Sequence, residues 1–289
     1  MNQSIPQLPK TRQVLRGISE LPTLPTVMYR MMEALNTPDL SLKKIVSIVL
    51  EDPAIASKIL KLANSSYYGF QGEVRSIEHA IVLLGTEAVR SLALGSSVFN
   101  TIRCPADVSA VDTAGLWTHF LAVAVCSKEI ASRSQICEAD VAFTAGLIHD
   151  IGVLALLCLY PSEYCQIMEE AEAGETSFLQ LEMQAFGLNH QDAGAYLASC
   201  WRLPEILQSS ILHHHGHESI EKGKLEGTIY LADKICRSTH IGWAFTSTDV
   251  EILPDEIIRL GASSEQLDEV RCFVQEGREF ICEFLDNIG

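Results

Sequence analysis

The sequence has few basic residues and no cysteine pairs at the spacing of a metal site. Lys and Arg number 21 against 37 Asp and Glu, a formal net charge of −16, so the field of the whole molecule repels nucleic-acid phosphates and anionic lipids. The nine cysteines are scattered and never form Cys-x-x-Cys, which argues against a disulfide framework and a cysteine zinc site. We therefore expect no nucleic-acid partner.

No secretory signal is visible, because the basic residues near the N-terminus precede no apolar stretch. We expect a cytoplasmic, reducing location. Residues 141–160 are almost wholly apolar and long enough to span a bilayer. However, His149 and Asp150 lie at the middle, a central Asp costs roughly 3 kcal/mol on insertion, and no second such stretch exists. We interpret the segment as a helix buried inside a soluble protein, with no membrane partner.

Strand patterns are nearly absent, whereas helix signals occur along the chain. Five short helices are predicted between residues 26 and 100, with Ser41, Asp52 and Ser76 as N-caps and Gly85 ending the fourth helix. This segment carries seven basic and seven acidic residues. Without a basic stripe, a packing scaffold or protein-binding surface is favoured over a DNA-reading helix-turn-helix.

The predicted fold is all-α, with many helices in two lobes. Residues 101–114 lack helical periodicity and contain Pro105, which predicts a linker. We assign a tail at 1–17, a five-helix lobe at 18–102, the linker at 103–112 and a second helical lobe at 113–289, with a C-terminal extension at 216–289. Helices of the second lobe are predicted near 113–133, 138–159, 162–173, 176–186, 190–201, 204–215, 224–240, 254–260 and 264–287.

Polar side chains lie on the apolar faces of the second lobe's helices. His119 lies within one apolar stripe, His214 and His215 continue another, and Asp233 lies beside Ala232 on a third. An unpaired buried polar group costs several kcal/mol, so each needs a partner or a metal. Seven such groups are predicted to converge: His119, His149, Asp150, His190, His214, His215 and Asp233.

A single buried histidine is more often a hydrogen-bonded core residue than a ligand, but seven converging groups favour a metal. Imidazole nitrogens with Asp oxygens suit zinc, iron or manganese, and a carboxylate can bridge two ions. We therefore predict one or two divalent transition-metal ions. His190 opens its helix and is the least securely placed member. His213 and His217 fit a surface histidine tract that binds metal adventitiously.

The order of these residues resembles the HD superfamily of metal-dependent phosphohydrolases, with His149-Asp150 as the central pair. The extra His190 and the paired His214-His215 are similar to the HD-GYP branch, whose ligand set supports two or three metals. More closely, five segments resemble the HDOD domain, the HD-related output domain of bacterial signalling proteins, from about Ile18 to His215. These segments are LPTLPTVMYRMMEAL, LEDPAIASKILKLANSSYYG, SIEHAIVLLGTEAVRSLAL, AGLIHDIG and LPEILQSSILHHH.

The resemblance implies an all-α fold and an output role in signal transduction. Many HDOD proteins have lost HD ligands and act through protein contacts, whereas every HD-GYP His or Asp position can be matched here. The chain departs from HD-GYP in two places. No Gly-Tyr-Pro loop follows His215, and Val153 stands where the phosphohydrolase motif carries a phosphate-contacting lysine. The resemblance supports metal binding more than phosphodiesterase activity.

Three hypotheses follow. The first is a bacterial cytoplasmic regulatory protein that binds metal structurally or as a sensor and acts by binding a signalling partner. The alternative is an active metal-dependent phosphohydrolase, on a nucleotide or cyclic dinucleotide, with a metal-bound hydroxide as the nucleophile and Asp150 orienting it or deprotonating the water from which it forms. The third is a heme- or ligand-gated sensor, for which the sequence shows no dedicated pocket motif.

Overall fold

The computed structural model describes residues 9–35, 41–65, 68–70, 72–102, 112–174, 176–242, 250–279 and 281. Across these ranges the regular structure is helical, with no strand, which confirms the all-α prediction. The helices are α1 (Pro9–Glu20), α2 (Thr26–Leu35), α3 (Leu42–Val49), α4 (Pro53–Ala63), α5 (Ile77–Leu84), α6 (Thr86–Thr101), α7 (Thr113–Ser134), α8 (Ala139–Ile148), α9 (Ile151–Leu159), α10 (Pro161–Glu172), α11 (Phe178–Phe186), α12 (His190–Cys200), α13 (Glu205–Leu212), α14 (Ser219–Lys222), α15 (Lys224–Ser238), α16 (Pro254–Leu260) and α17 (Ser264–Glu276).

The chain divides into two compact units. The first contains residues 1–22 and 102–275, and the second contains residues 23–101 and 276–289. Residues 103–111, almost all of the predicted linker, lie outside the described residues. The linker therefore stays a prediction.

Helices α2 to α6 of the second unit match the five predicted between residues 26 and 100. Their ends follow the local signals. The side chain of Ser41 accepts a hydrogen bond from the Lys44 N–H, and that of Asp52 accepts two at the start of α4. Gly85 ends α5 with a φ of 84°, a left-handed value that favours glycine.

Helix α1 differs from the sequence prediction, which treated residues 1–17 as a tail. Its residues Val14 and Ile18 are buried, and the Thr11 hydroxyl donates to the Phe186 carbonyl. The helix packs against α9, α11 and α12 within the first unit. Burial of its apolar face explains why a short segment without strong cap signals is helical.

The predicted helix 138–159 is broken, since α8 ends at Ile148 and α9 begins at Ile151. In a continuing helix the Gly146 carbonyl would accept the Asp150 N–H. Instead it accepts the Nδ1–H of His149, at 2.7 Å. The side chain thus satisfies a carbonyl that a helix end leaves without a partner.

The predicted helix 204–215 also ends early, at Leu212, for the same physical reason. The Nδ1–H of His214 donates to the Ile211 carbonyl at 2.7 Å, a carbonyl that the His215 N–H would use if the helix continued. Gly216 then takes a φ of 89°. His214 and His215 consequently lie in the turn after α13. Farther on, α17 ends at Glu276, a turn follows at Gly277, and residues 278, 279 and 281 are helical again. Residues 280 and 282–289 lie outside the described part, so the predicted helix end at 287 stays a prediction.

The core of the first unit forms around α7, α8, α9, α12 and α15. Helix α7 packs on α8 and α15, and α9 packs on α12. The segment Ala139–Leu159 is long and apolar enough to cross a membrane, but 89% of its most apolar window is buried inside the protein. This burial agrees with its interpretation as a core helix.

Candidate metal centre

All seven predicted site residues come together in the first unit, each from its own place in the fold. His119 is on α7, His149 and Asp150 lie at the break between α8 and α9, and His190 is the first residue of α12. His214 and His215 follow α13, and Asp233 is on α15. The side chains form two adjoining groups, and within each group the potential ligand atoms lie within 4.8 Å of one another. We name them the Asp150 group (Asp150, His190, His214, His215) and the Asp233 group (His119, His149, Asp233).

The Asp150 carboxylate lies between the two groups. Its Oδ1 is 3.0 Å from His214 Nε2 and 3.4 Å from His190 Nε2. Its Oδ2 is 3.2 Å from His149 Nε2, which belongs to the Asp233 group. One carboxylate thus faces both groups with different oxygens, an arrangement in which a carboxylate can bridge two ions.

The Asp233 carboxylate lies on the other side of the centre. Its Oδ1 is 3.1 Å from His119 Nε2. Its Oδ2 is 2.9 Å from Arg237 Nη2, one helical turn along α15, and 3.6 Å from His215 Nδ1. Arg237 therefore balances part of the charge that Asp233 brings into the core.

Hydrogen bonds outside the centre orient two of the imidazoles. His149 and His214 each donate Nδ1–H to a main-chain carbonyl. In the neutral ring, Nε2 then carries a lone pair and cannot donate. Each of these Nε2 atoms faces an Asp150 oxygen at 3.0–3.2 Å. Two facing acceptors repel unless a proton or a metal ion lies between them, so the donor set fits a bound cation.

The centre is buried, and burial acts against every charge in it. All seven side chains are buried except that of His215, which is 19% exposed. Burial would raise the pKa of Asp150, but His149 and His214 hold that pKa well below the ordinary value. Burial would also raise the pKa of Asp233, and Arg237 and His119 lower it instead. Both carboxylates are therefore ionised at neutral pH.

The imidazoles differ in their preference for a proton. Burial lowers the pKa of His214, and burial with the neighbouring His214 and His190 lowers that of His215 well below its usual value. Burial would lower the pKa of His149 as well, but the Asp150 carboxylate outweighs it and raises that pKa. Neutral imidazoles and ionised carboxylates are the forms that bind metal ions.

Glycines allow the helices that carry the seven candidate residues to approach closely. A Cβ built on Gly152 would lie 1.9 Å from the His190 carbonyl oxygen and 2.7 Å from the Gly194 nitrogen. Both atoms are backbone and cannot move aside alone. Gly152 therefore permits the contact between α9 and α12 that brings His190 to Asp150.

Three contributing residues were missed in the sequence. Glu182 on α11 is fully buried and contacts His190, Tyr164 contacts Glu182, and Arg237 contacts Asp233. A signal for Glu182 existed, since it lies four residues after Phe178 and four before Phe186, on the apolar stripe of its helix. For Arg237 the signal was its position four residues after Asp233.

His213 and His217 lie outside both groups. His217 donates Nδ1–H to Glu256 Oε1 at 2.5 Å. Glu256 also accepts the Tyr230 hydroxyl at 2.7 Å and lies 3.7 Å from the buried Lys234 ammonium. His217 thus takes part in a separate network of α15 and α16.

A family model, several solved structures and one curated relative match this chain. A family model described as the HDOD domain matches residues 21–217. An HDOD domain protein with unknown function from Geobacter sulfurreducens is 26% identical, has a TM-score of 0.80 and aligns over 97% of each chain. A candidate phosphohydrolase from Shewanella amazonensis SB2B is 25% identical, with a TM-score of 0.76, over 96% of this chain and 98% of that one. An uncharacterized protein from Treponema pallidum (strain Nichols) is 26% identical over 228 residues. The chain spans 43% of the length of that relative, and the match covers 76% of this chain.

Proposed function

Because the chain belongs to the HDOD domain family, we propose that it is a cytoplasmic output protein of bacterial signal transduction. Its first unit binds one or two divalent transition-metal ions, and it acts by binding a signalling protein. The metal is structural or serves as the sensed signal. This proposal extends what the family membership and the His/Asp cluster support.

The proposal is carried by two places in the core where hydrogen-bond acceptors face each other. His149 Nε2 and His214 Nε2 face Asp150 oxygens, and the outer nitrogen of each ring donates to a carbonyl. This pattern, in which an outer hydrogen bond fixes the tautomer and Nε2 faces inward, is typical of metal-ligating histidines. A divalent ion would supply the positive charge that two buried carboxylates require.

The two groups could hold separate ions. The Asp150 group offers three imidazoles and a carboxylate, and the Asp233 group offers two imidazoles and a carboxylate. Mixed nitrogen and oxygen ligands suit zinc, iron or manganese. Asp150 faces both groups and would be available to an ion in either of them.

Two features favour regulation over catalysis. The candidate ligands are buried, and His215, with 19% of its side chain exposed, is the most accessible of the seven, so a bulky phosphoester has little access. At position 153, where related hydrolases carry lysine, the chain has a fully buried valine. Losing one group that stabilises developing charge typically costs on the order of a hundred- to a thousandfold in rate.

The second candidate function is a metal-dependent phosphohydrolase acting on a nucleotide or cyclic dinucleotide. The full ligand set favours it, as does the likeness to the candidate phosphohydrolase from Shewanella amazonensis. In that case Asp150 would orient or deprotonate the nucleophile, since it lies between both groups.

Metal analysis tests the proposal directly. The full chain should be purified without a histidine tag, with iron, manganese or zinc supplied in turn, and its metal content measured by mass spectrometry. We expect one or two ions per chain, with fewer in His149→Ala. Protein that takes up no ion from any of these supplies would refute the metal-binding proposal, and with it the hydrolase.

A further inference from the structure

Glu182 is a fully buried carboxylate that belongs to neither metal group. It accepts three hydrogen bonds. Oε1 accepts the Tyr164 hydroxyl at 2.5 Å, while Oε2 accepts both the ring Nδ1–H of His190 at 2.7 Å and its main-chain N–H at 3.0 Å. A carboxylate is expensive to bury, so its position on an apolar stripe requires a reason beyond packing.

The position of His190 explains why it needs this partner. His149 and His214 each donate Nδ1–H to the carbonyl three residues earlier, which a preceding helical turn supplies. His190 is the first residue of α12, directly after the cap Asn189, so no helical turn precedes it. Glu182, from a different helix, takes the place of that carbonyl.

Two contacts to one residue fix both the backbone and the ring of His190. With Nδ1–H directed at Glu182, Nε2 faces the Asp150 group, 3.4 Å from Asp150 Oδ1 and 3.0 Å from His215 Nε2. A negatively charged acceptor also makes an imidazole a stronger ligand than a carbonyl does. The effect is confined to His190, because among the described contacts Glu182 meets only the His190 imidazole of the centre, whereas His149 and His214 donate to main-chain carbonyls.

We propose that Glu182 is a positioning residue that sets metal affinity at the Asp150 group and not at the Asp233 group. The proposal rests on the proposed metal binding. It adds that different outer residues orient the imidazoles of the two groups. Removing an outer partner of a ligating histidine typically weakens metal binding about 10- to 100-fold. We expect that loss at one group only.

The test measures zinc affinities of the full-length protein after its metal has been removed with a chelator. Zn²⁺ is titrated against a chromophoric chelator to resolve two dissociation constants. In Glu182→Gln, which keeps the shape but removes the charge, one constant should weaken about 10- to 100-fold and the other should stay unchanged. His119→Ala, which removes a ligand of the Asp233 group, should affect the opposite constant.

Tyr164→Phe is the matched control. It removes one hydrogen bond to the same buried carboxylate but leaves both contacts to His190, so both constants should remain close to those of the unaltered protein. Absorption of the Co²⁺-loaded protein gives a second reading, because a changed environment at one ion should alter only part of its spectrum in Glu182→Gln. A purely structural role for Glu182 predicts lower thermal stability with equal effects at both groups.

The outcomes separate the two proposals. If the unaltered protein takes up no ion, the metal-binding proposal fails together with this one. If it takes up two ions and Glu182→Gln leaves both constants unchanged, or weakens both equally, only the positioning role is overturned. Uptake of a single ion also overturns the selective role. Should Glu182→Gln fail to fold, Glu182→Asp, which keeps the charge but shortens the reach, must show the selective weakening.

Discussion

Replacing Gly152 with alanine should force α9 and α12 apart and destabilise the first unit. The added Cβ would lie 1.9 Å from the His190 carbonyl oxygen and 2.7 Å from the Gly194 nitrogen. An ordinary contact needs well over 3 Å, so one helix must shift by roughly an ångström or more. Overpacking of this kind costs about 1–3 kcal/mol and occasionally more. Because only backbone atoms meet the new methyl group, we expect the free energy of unfolding to fall by about 3 kcal/mol.

The matched control is Gly17→Ala on α1, the same substitution within a helix of the same unit. There the new Cβ meets only the flexible side chain of Leu159, at 3.3 Å. Alanine is favoured over glycine in a helix by about 1 kcal/mol. Gly17→Ala should therefore leave stability unchanged or raise it slightly.

The assay is thermal unfolding by circular dichroism, together with metal content. At about 2–4 °C per kcal/mol for a protein of this size range, Gly152→Ala should lower the midpoint by roughly 6–12 °C. The shift of His190 away from Asp150 should also weaken metal binding at the Asp150 group. An unchanged midpoint in Gly152→Ala, or an equal loss in Gly17→Ala, would refute the proposed role of the close helix contact.

Three further predictions concern the centre itself. His149→Ala should keep the fold, judged by circular dichroism, but lose the ion of the Asp233 group; if the variant fails to fold even with ample metal, the ion is required for folding. In chelated protein, burial would lower the pKa of His190, but Glu182 and Asp150 raise it from 6.5 to about 9. Protonated His190 should therefore make its full contribution to the free energy of unfolding below pH 6.5, and this contribution should be lost as the pH rises through 9. An equally steep loss of unfolding free energy in His190→Gln would contradict the assignment to His190. Turnover of bis-para-nitrophenyl phosphate and cyclic dinucleotides should be weak or absent with manganese or ferrous iron; robust turnover that disappears in His149→Ala would favour the hydrolase.

The five helices of the second unit could be predicted because their ends depend on local signals. Ser41 and Asp52 bond to N–H groups only two or three residues away, and Gly85 takes a backbone angle that favours glycine. Such contacts are visible in sequence as residue types at fixed offsets. The metal candidates were visible for a related reason, since a polar residue on an apolar stripe stands out at helical spacing.

The two helix breaks could not be predicted from periodicity. Residues 139–159 are apolar on every side, so their pattern indicates burial but contains no signal for an end. The break depends on whether His149 donates to the carbonyl of Gly146 or to another group, and this depends on the packing around its ring. The same is true of His214 and the end of α13 at Leu212.

Glu182 and Tyr164 could not be predicted for a third reason, which is that each contacts a residue of another helix. Glu182 reaches His190 from α11, and no residue spacing indicates that α11 and the start of α12 are arranged in this way. The stripe position of Glu182 indicated a buried charge but did not indicate its partner. Only the packing of the helices shows that the charge is directed at His190.

The wide spacing of the ligands along the chain has a consequence for the order of folding. The Asp233 group requires residues 119 and 233 in contact, and contacts between such distant parts of a chain form late because closing long loops costs entropy. The ion of the Asp233 group could therefore not guide the first steps of folding and would be captured only after α7 and α15 have met. During synthesis, its capture would have to wait until Asp233 has left the ribosome, after the family-matched segment that ends at residue 217. Occupancy of the Asp233 group would then measure how many molecules have brought α7 and α15 together.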